Sequence, residues 1–254
     1  MYRYEKGRSL IVKRTTESYP LSGSQRNIWG LEQHYRGTSI NNICQTIRIR
    51  GTFDIALLQQ CLNLLLESDG SLRAQIVLDE EGNPVQYQAE YETQQFPVFD
   101  FSTTNQAGIE HWEYSVTREV MPVLDAPLYY FAIIKISEQE GGVLLKTHHL
   151  ISDGWSQVSL INKLAGCYLD LISGREAVLK PAPGYDLHVR AQADYIGSKA
   201  FIKDKKYWEE IMKNAGSPAA LKECSSAAVS SVGRRKTFCL PDVLCHALTA
   251  FCGE

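Results

Sequence analysis

The sequence lacks the features that mark a membrane, secreted or nucleic-acid-binding protein. No apolar run in its 254 residues reaches the ~18 residues that a membrane helix needs. The N-terminus, residues 1–6, has no apolar core of a signal peptide. The formal net charge of -3 leaves no excess of basic residues for nucleic acid or an anionic membrane surface. These absences predict a cytoplasmic protein with neither a nucleic acid nor a membrane among its partners.

Several motifs that bind a cofactor or a metal, or present a nucleophile, are missing too. The chain has no G-x-G-x-x-G or G-x-x-x-x-G-K-[ST] run for a nucleotide, and no G-x-S-x-G turn for a serine nucleophile. The seven cysteines are odd in number and none are spaced C-x-x-C. Free thiols in a reducing cytosol are therefore a simpler interpretation than a disulfide or zinc framework. We expect no metal and no directly bound cofactor.

The composition and patterning that are present predict a globular α+β protein. Hydrophobic residues make up 44% of the chain and charged residues 22%, which suits one large domain, or one domain and part of a second. Helices interleave with hairpins rather than with single parallel strands, which favours an α+β sandwich over a doubly wound fold. Helices are predicted after the N-caps Ser22 and Asp54 and over residues 106–121, 155–172, 185–213 and 242–251. Strands are predicted over residues 42–50, 72–78, 85–91, 96–101, 128–136, 143–149 and 236–240, with hairpin turns at 79–83 and at Gly141-Gly142.

The run from His148 to Gly154 is the main candidate for chemistry. His148 and His149 end a strand-like apolar run, and a helix follows Gly154. An imidazole accepts a proton near neutral pH, which suits it to an amine or hydroxyl that attacks a carbonyl. Because successive strand residues face opposite ways, we expect His149 to point into a cleft and His148 into the protein body.

Asp153 and Gly154 are predicted to shape the bend after the histidines. Asp153 has two open roles: it orients His149 as a triad carboxylate does, or it turns away and pairs with an arginine, which we favour because the loop is short. Gly154 permits a tight turn or a positive φ. Either Ser152 or Asp153 is a suitable cap for the following helix.

The histidine pair and the Asp-Gly step also have less specific interpretations. A His-His pair is often incidental on a surface, and Asp-Gly is a common turn. Zinc binding by the two histidines and Asp153 is disfavoured, because adjacent strand residues face apart and no H-E-x-x-H helix or third ligand is evident.

The segment from His148 to Gly154 matches the H-H-x-x-x-D-G motif of the condensation domains of non-ribosomal peptide synthetases. Residues 21–29 resemble the opening helix motif of that family, Leu72-Arg73 the end of its second motif, and residues 194–208 the long helix after its first lobe. The resemblance runs from about Tyr19 to the C-terminus. It implies the fold of chloramphenicol acetyltransferase, an α/β sandwich with a mixed, largely antiparallel sheet and helices packed on it.

The resemblance also implies an activity and a set of partners. Condensation domains join two acyl or aminoacyl groups, each carried as a thioester on the phosphopantetheine of a peptidyl or aminoacyl carrier protein. By resemblance His149 lies where the two arms meet, either as a general base or as a group that positions the amine. Asp153 would then be structural, with Arg73 as its partner, and adenylation and thiolation domains would be neighbours.

Two departures from the family qualify this expectation. Residues 68–71, Ser-Asp-Gly-Ser, stand where the second motif usually has Arg-His before an acidic residue, which suggests a subtype that opens an assembly line with an acyl donor. The family's domains also have two lobes. We expect residues 1–18 to form an extension, 19–178 the N-terminal lobe, 179–235 a connector with a long helix and a mobile loop, and 236–254 a truncated start of the C-terminal lobe.

A missing C-terminal lobe would have consequences for this chain. His149 would face solvent, and orientation of the substrates supplies much of the rate in such sites. We therefore expect weak or no activity from this chain alone, and self-association through an uncovered apolar patch.

Three other functions remain open or disfavoured. Epimerisation domains carry the same histidine motif but invert an α-carbon. A degenerate lobe would serve as a docking scaffold for carrier proteins without catalysis. Acyltransferases that use coenzyme A carry only H-x-x-x-D-G, so His148 argues against them.

Overall fold

The computed structural model describes residues 17–51, 53–213, 215–216 and 238–253. The chain divides into two units, Met1–Gly216 and Ser217–Glu254. The first unit holds the predicted site. In the second, the described residues contain a single helix.

The first unit contains both helices and strands, interleaved along the chain. Its strands are β1 (Tyr19–Pro20), β2 (Asn42–Arg50), β3 (Ala74–Leu78), β4 (Pro84–Gln88), β5 (Val98–Asp100), β6 (Tyr129–Ser137) and β7 (Glu140–His148). Its helices are α1 (Gly23–His34), α2 (Ile55–Ser68), α3 (Gln106–Arg118), α4 (Gly154–Ile172), α5 (Tyr185–Tyr195) and α6 (Lys199–Lys213), with a short 3-10 helix at Gly70–Arg73. The second unit contains α7 (Asp242–Cys252).

Two sheets organise the strands. The larger has the order β2-β7-β6-β5, with β5 parallel to β6 and the other pairs antiparallel. The smaller has the order β1-β4-β3 and is antiparallel throughout. A mixed, largely antiparallel sheet with helices packed on it is the predicted fold class, which is confirmed.

The four-stranded sheet is apolar on both faces, and β7 shows how. Val143 and Leu145 belong to the cluster formed with α2 and α4, whereas Leu144 packs with Val116 of α3 on the other side. Lys146 also points to the α3 side, where its ammonium donates to the carbonyl oxygens of Val116 (2.8 Å) and Glu119 (2.6 Å). This alternation decides which way each histidine at the end of the strand faces.

The predicted helix starts at Ser22 and Asp54 are confirmed. The Ser22 hydroxyl accepts from the Gln25 amide N–H, and the Gln25 side chain accepts from the Ser22 N–H (2.9 Å), which completes a capping box. The Asp54 carboxylate accepts from the Leu57 N–H at 3.0 Å.

One predicted turn is wrong. Gly141 and Gly142 lie inside β7, and the hairpin reverses between Ser137 and Glu140. Gly142 is needed for packing, because a Cβ there would lie 1.9 Å from the carbonyl oxygen of Ile47 on the neighbouring strand. The close approach of β2, which lies far away in sequence, is the physical reason for the error.

Other boundaries also differ from the sequence prediction. Leu72 and Arg73 lie in the 3-10 helix rather than in a strand. The predicted helix over 185–213 is divided into α5 and α6 at Gly197, whose φ of 85° interrupts a helix. Residues 238–240 have no regular structure where a strand was predicted. The expected extension at 1–18 and mobile loop at 214–235 fall almost wholly outside the described residues.

None of the helices in the described part of the chain combines the length and the apolar content that a bilayer crossing requires.

Candidate active site

The end of β7 places the two histidines in different surroundings. Thr147, on the α4 side, accepts from the Gln157 amide at 2.7 Å. His148 faces the other way and is only 2% exposed. The strand ends there, and the segment 149–153, which we call the His149 loop, leads into α4 with the His149 side chain exposed.

His148 is held in one tautomer by two hydrogen bonds. Its Nδ1 accepts from the Leu150 N–H at 3.2 Å, so the proton of the neutral ring is on Nε2, which lies 3.3 Å from Oε2 of Glu32. Burial lowers the pKa of His148, and attraction to Glu32 only partly opposes that shift. The ring is therefore neutral at pH 7 and braces the start of the loop.

His149 is fixed through its backbone while its ring stays available. Its N–H donates to the Asn41 carbonyl oxygen at 2.8 Å. No residue in the described part of the chain forms a hydrogen bond with its imidazole. The ring lines a cavity of about 340 Å³.

The walls of this cavity come from several elements. Asn27 and Ile28 of α1 form one side, with Ser71 of the 3-10 helix, while Ser156 of α4 and Tyr185 of α5 complete the lining. A cavity that combines apolar surface with hydroxyl and amide side chains and one unpaired imidazole is suited to holding a small substrate group.

Asp153 is the N-cap of α4. Its Oδ1 accepts from the Ser156 N–H (2.8 Å) and hydroxyl (2.7 Å). These bonds lower the pKa of Asp153, the backbone bond contributing most, and attraction to His149 adds a smaller effect. Gly154 is the first residue of α4 and does not have the positive φ that the sequence suggested.

The predicted pairing of Asp153 with Arg73 is wrong. The Arg73 guanidinium donates to the carbonyl oxygens of Ala89 (3.1 Å), Glu67 (2.9 Å) and Leu66, the last two in the final turn of α2. Arg73 thereby satisfies the C-terminal carbonyls of α2, and Asp153 is satisfied by Ser156. The Arg73 guanidinium and the Asp153 carboxylate thus bond different partners, and the structure has no ion pair between them.

Several residues that support the loop were not predicted. Gln25, buried in α1, donates to the Leu150 carbonyl oxygen at 2.9 Å and forms a reciprocal pair with Gln86. Gln157, buried in α4, donates to the hydroxyls of Ser152 (2.8 Å) and Thr147. In the sequence, Gln25 and Gln157 are each a polar side chain on the apolar face of a helix, and that pattern could have indicated their supporting role.

The described residues contain no group of three or more His, Cys, Asp and Glu side chains that could hold one metal ion. Six cysteines in this part of the chain are free thiols, which are Cys44, Cys61, Cys167, Cys239, Cys245 and Cys252.

Comparison with models of protein families shows which family the chain belongs to. The family model described as "Condensation domain" matches residues 15–254. The chain belongs to the condensation-domain family. The resemblance to the condensation domains of non-ribosomal peptide synthetases is therefore confirmed.

Individual relatives agree with this assignment. Over 238 residues, 92% of this chain, it is 31% identical to surfactin synthase subunit 1 of Bacillus subtilis (strain 168), but it spans only 7% of that protein. The starter condensation domain of rhizomide synthetase RzmA aligns with a TM-score of 0.72 at 22% identity, over 80% of this chain and 50% of that chain. The first condensation domain of the CDA synthetase aligns with a TM-score of 0.70 at 20% identity, over 82% and 53%. These likenesses show that the two solved domains share the fold.

Proposed function

We propose that this condensation-domain lobe takes part in amide bond formation between two carrier-bound substrates. The observation that carries the proposal is the ring of His149, the second histidine of the family motif, which faces a cavity without a hydrogen bond from any described residue. The ring nitrogens are therefore available to an incoming amine.

The proposed reaction transfers an acyl group from sulfur to nitrogen. The acceptor amine attacks the carbonyl carbon of the donor thioester, so a C–N bond forms and the C–S bond breaks. The amine proton passes to His149 and from there to the departing thiolate, which leaves as the thiol. Proton transfer of this kind contributes about 10²- to 10⁴-fold to a rate.

The groups around His149 support this role. The loop backbone is hydrogen-bonded on both sides of the ring, at the His149 N–H and at the Leu150 carbonyl oxygen. The imidazole is therefore attached to a fixed segment of backbone. The Asp153 carboxylate caps α4 through Ser156 and so fixes the end of the loop that carries the ring.

The substrates and partners follow from the family. We propose that peptidyl or aminoacyl carrier proteins bring both groups on phosphopantetheine, with adenylation and thiolation domains in the same synthetase. The departure at residues 68–71 supports an acyl donor for the first step of an assembly line. There Asp69 pairs with Lys163 at 3.0 Å and bonds the Ser71 hydroxyl, a local network in place of the usual motif.

Product analysis distinguishes the candidate reactions. A full-length synthetase containing this domain is supplied with an acyl-loaded donor carrier and an aminoacyl-loaded acceptor carrier, and the acceptor is analysed by mass spectrometry and chiral chromatography. We expect an N-acylated acceptor of unchanged α-carbon configuration. Inversion without a new amide would indicate epimerisation, and carrier binding without either product would indicate a scaffold.

We propose further that the 254-residue chain alone turns over slowly. It spans about half the length of the solved condensation domains that it matches. With His149 exposed, this unit provides only part of the walls needed to orient two substrates. Turnover by this chain at the full-length rate would contradict the proposal.

A further inference from the structure

We propose that Glu32 is a positioning residue that holds the His149 loop in its active geometry. The inference rests on the proposed function for its effect on rate, but the anchor itself is measurable without turnover. Glu32 lies in α1, far from the loop in sequence, and is 7% exposed.

A single carboxylate oxygen collects two partners. Oε2 of Glu32 accepts from the Asn41 amide at 2.7 Å and lies 3.3 Å from Nε2 of His148. Hydrogen bonds to an ionised carboxylate are about twice as strong as neutral ones. Asn41 and His148 are themselves buried, at 4% and 2% exposure. Neither has water as a ready alternative partner, so the carboxylate fixes both side chains.

Each of these partners then holds one amide of the loop. The Asn41 carbonyl oxygen accepts from the His149 N–H at 2.8 Å, and His148 Nδ1 accepts from the Leu150 N–H at 3.2 Å. Glu32 is thereby connected to two consecutive backbone amides, one of them belonging to the proposed catalytic residue. A displacement of about 1 Å at a reacting group costs on the order of 100-fold in rate.

The carboxylate also selects the tautomer of His148. An Nε2–H donor to Glu32 leaves Nδ1 unprotonated, which is the form that can accept from Leu150. Without an acceptor at Nε2, the preference for that form rests on the Leu150 N–H alone. A proton on Nδ1 would then face the Leu150 N–H, and the loop would have to move.

Two substitutions separate position from charge. E32Q removes the charge but keeps one carbonyl oxygen at full reach, and this oxygen can accept from both Asn41 and His148. E32D keeps the charge but withdraws the oxygens by one methylene. Gln75 offers a matched control, because it is also 7% exposed and accepts a buried hydrogen bond from Tyr87 at 2.8 Å, away from the loop.

The rate of the full-length synthetase is compared for E32Q, E32D and Q75L, using loaded donor and acceptor carriers. We expect kcat to fall about 10- to 100-fold in E32D, with KM changed less than about threefold, since the loop moves but the cavity walls remain. E32Q should stay within about threefold of wild type. An unchanged kcat in E32D, or an equal loss in Q75L, would overturn the proposal.

Tautomer and exchange measurements test the anchor without turnover. Nitrogen-15 NMR should show His148 with its proton on Nε2 in wild type and E32Q, and a mixture in E32D. Hydrogen exchange at the His149 and Leu150 amides should accelerate in E32D only. Should E32D not fold, N41A removes the Asn41 connection alone, so exchange should accelerate at the His149 amide while the His148 tautomer and the Leu150 amide stay as in wild type. A proton on Nδ1 of His148 in the wild-type protein would contradict the inference. If no amide product forms while the tautomer and exchange results are as expected, only the proposed reaction is refuted.

Discussion

Replacing Gln157 by Leu removes the side chain that connects the first turn of α4 to the end of β7. Gln157 is 4% exposed and makes three hydrogen bonds, donating to the hydroxyls of Thr147 (2.7 Å) and Ser152 (2.8 Å) and accepting from Gln45 (2.5 Å). Leucine fills a similar volume but leaves three partners without their bonds. Each unsatisfied buried polar group costs about 1–3 kcal/mol.

The expected loss is smaller than the sum of these values. The two hydroxyls lose an incoming N–H but can still donate their own protons, and leucine buries apolar surface that offsets part of the loss. We expect Q157L to lower the free energy of unfolding by about 2–4 kcal/mol. Urea denaturation followed by circular dichroism measures this value, and Q106L, at an exposed position of α3, is the control with an expected change below about 0.5 kcal/mol.

A double-mutant cycle tests the cause. T147V removes one partner of Gln157, so T147V combined with Q157L should destabilise the chain by about 1 kcal/mol less than the sum of the single variants. Strict additivity, or a loss below about 1 kcal/mol in Q157L itself, would refute the assigned hydrogen bonds.

Other perturbations have equally defined outcomes. G142A should lower the free energy of unfolding by about 3 kcal/mol in urea denaturation, because its Cβ would lie 1.9 Å from the Ile47 carbonyl oxygen; a loss below 1 kcal/mol would contradict the strand register. D153A should cost about 1 kcal/mol at pH 7 through loss of the helix cap. Since the folded-state pKa of Asp153 is lowered, that difference should shrink as pH falls below the ordinary value of 3.8, and a pH-independent difference would exclude the carboxylate as its source. We expect the chain to self-associate through exposed apolar side chains of α6, so W208E, at a side chain that is 60% exposed there, should weaken concentration-dependent association in sedimentation velocity, whereas Y114E, at 59% on α3, should not; a wild-type chain that stays monomeric at every concentration would contradict this expectation.

Local patterns predicted most of the elements. The caps at Ser22 and Asp54 and the strand over residues 42–50 depend on neighbours within a few residues, and the structure has them where the sequence indicated. The errors arose where a distant segment decides the conformation. Gly142 was interpreted as a turn residue, but the close approach of β2 requires it.

The candidate site shows the same division. The motif from His148 to Gly154 and its position between a strand and a helix were predictable, because residue types and spacing carry that information. The partner of Arg73 was not predictable, since a guanidinium group can bond carbonyl oxygens at a helix end as well as a carboxylate. Glu32 was not identified either, because one of its two partners at the loop, His148, is 116 positions away in the sequence.

The most direct measurement is the single-turnover rate of amide formation by the full-length synthetase carrying H149A, with carrier binding measured in parallel. H111A, at an exposed histidine of α3, is the control. We expect the H149A rate to fall by about 10²- to 10⁴-fold with carrier affinity unchanged, and H111A to match wild type. A wild-type rate in H149A would contradict the role assigned to this imidazole.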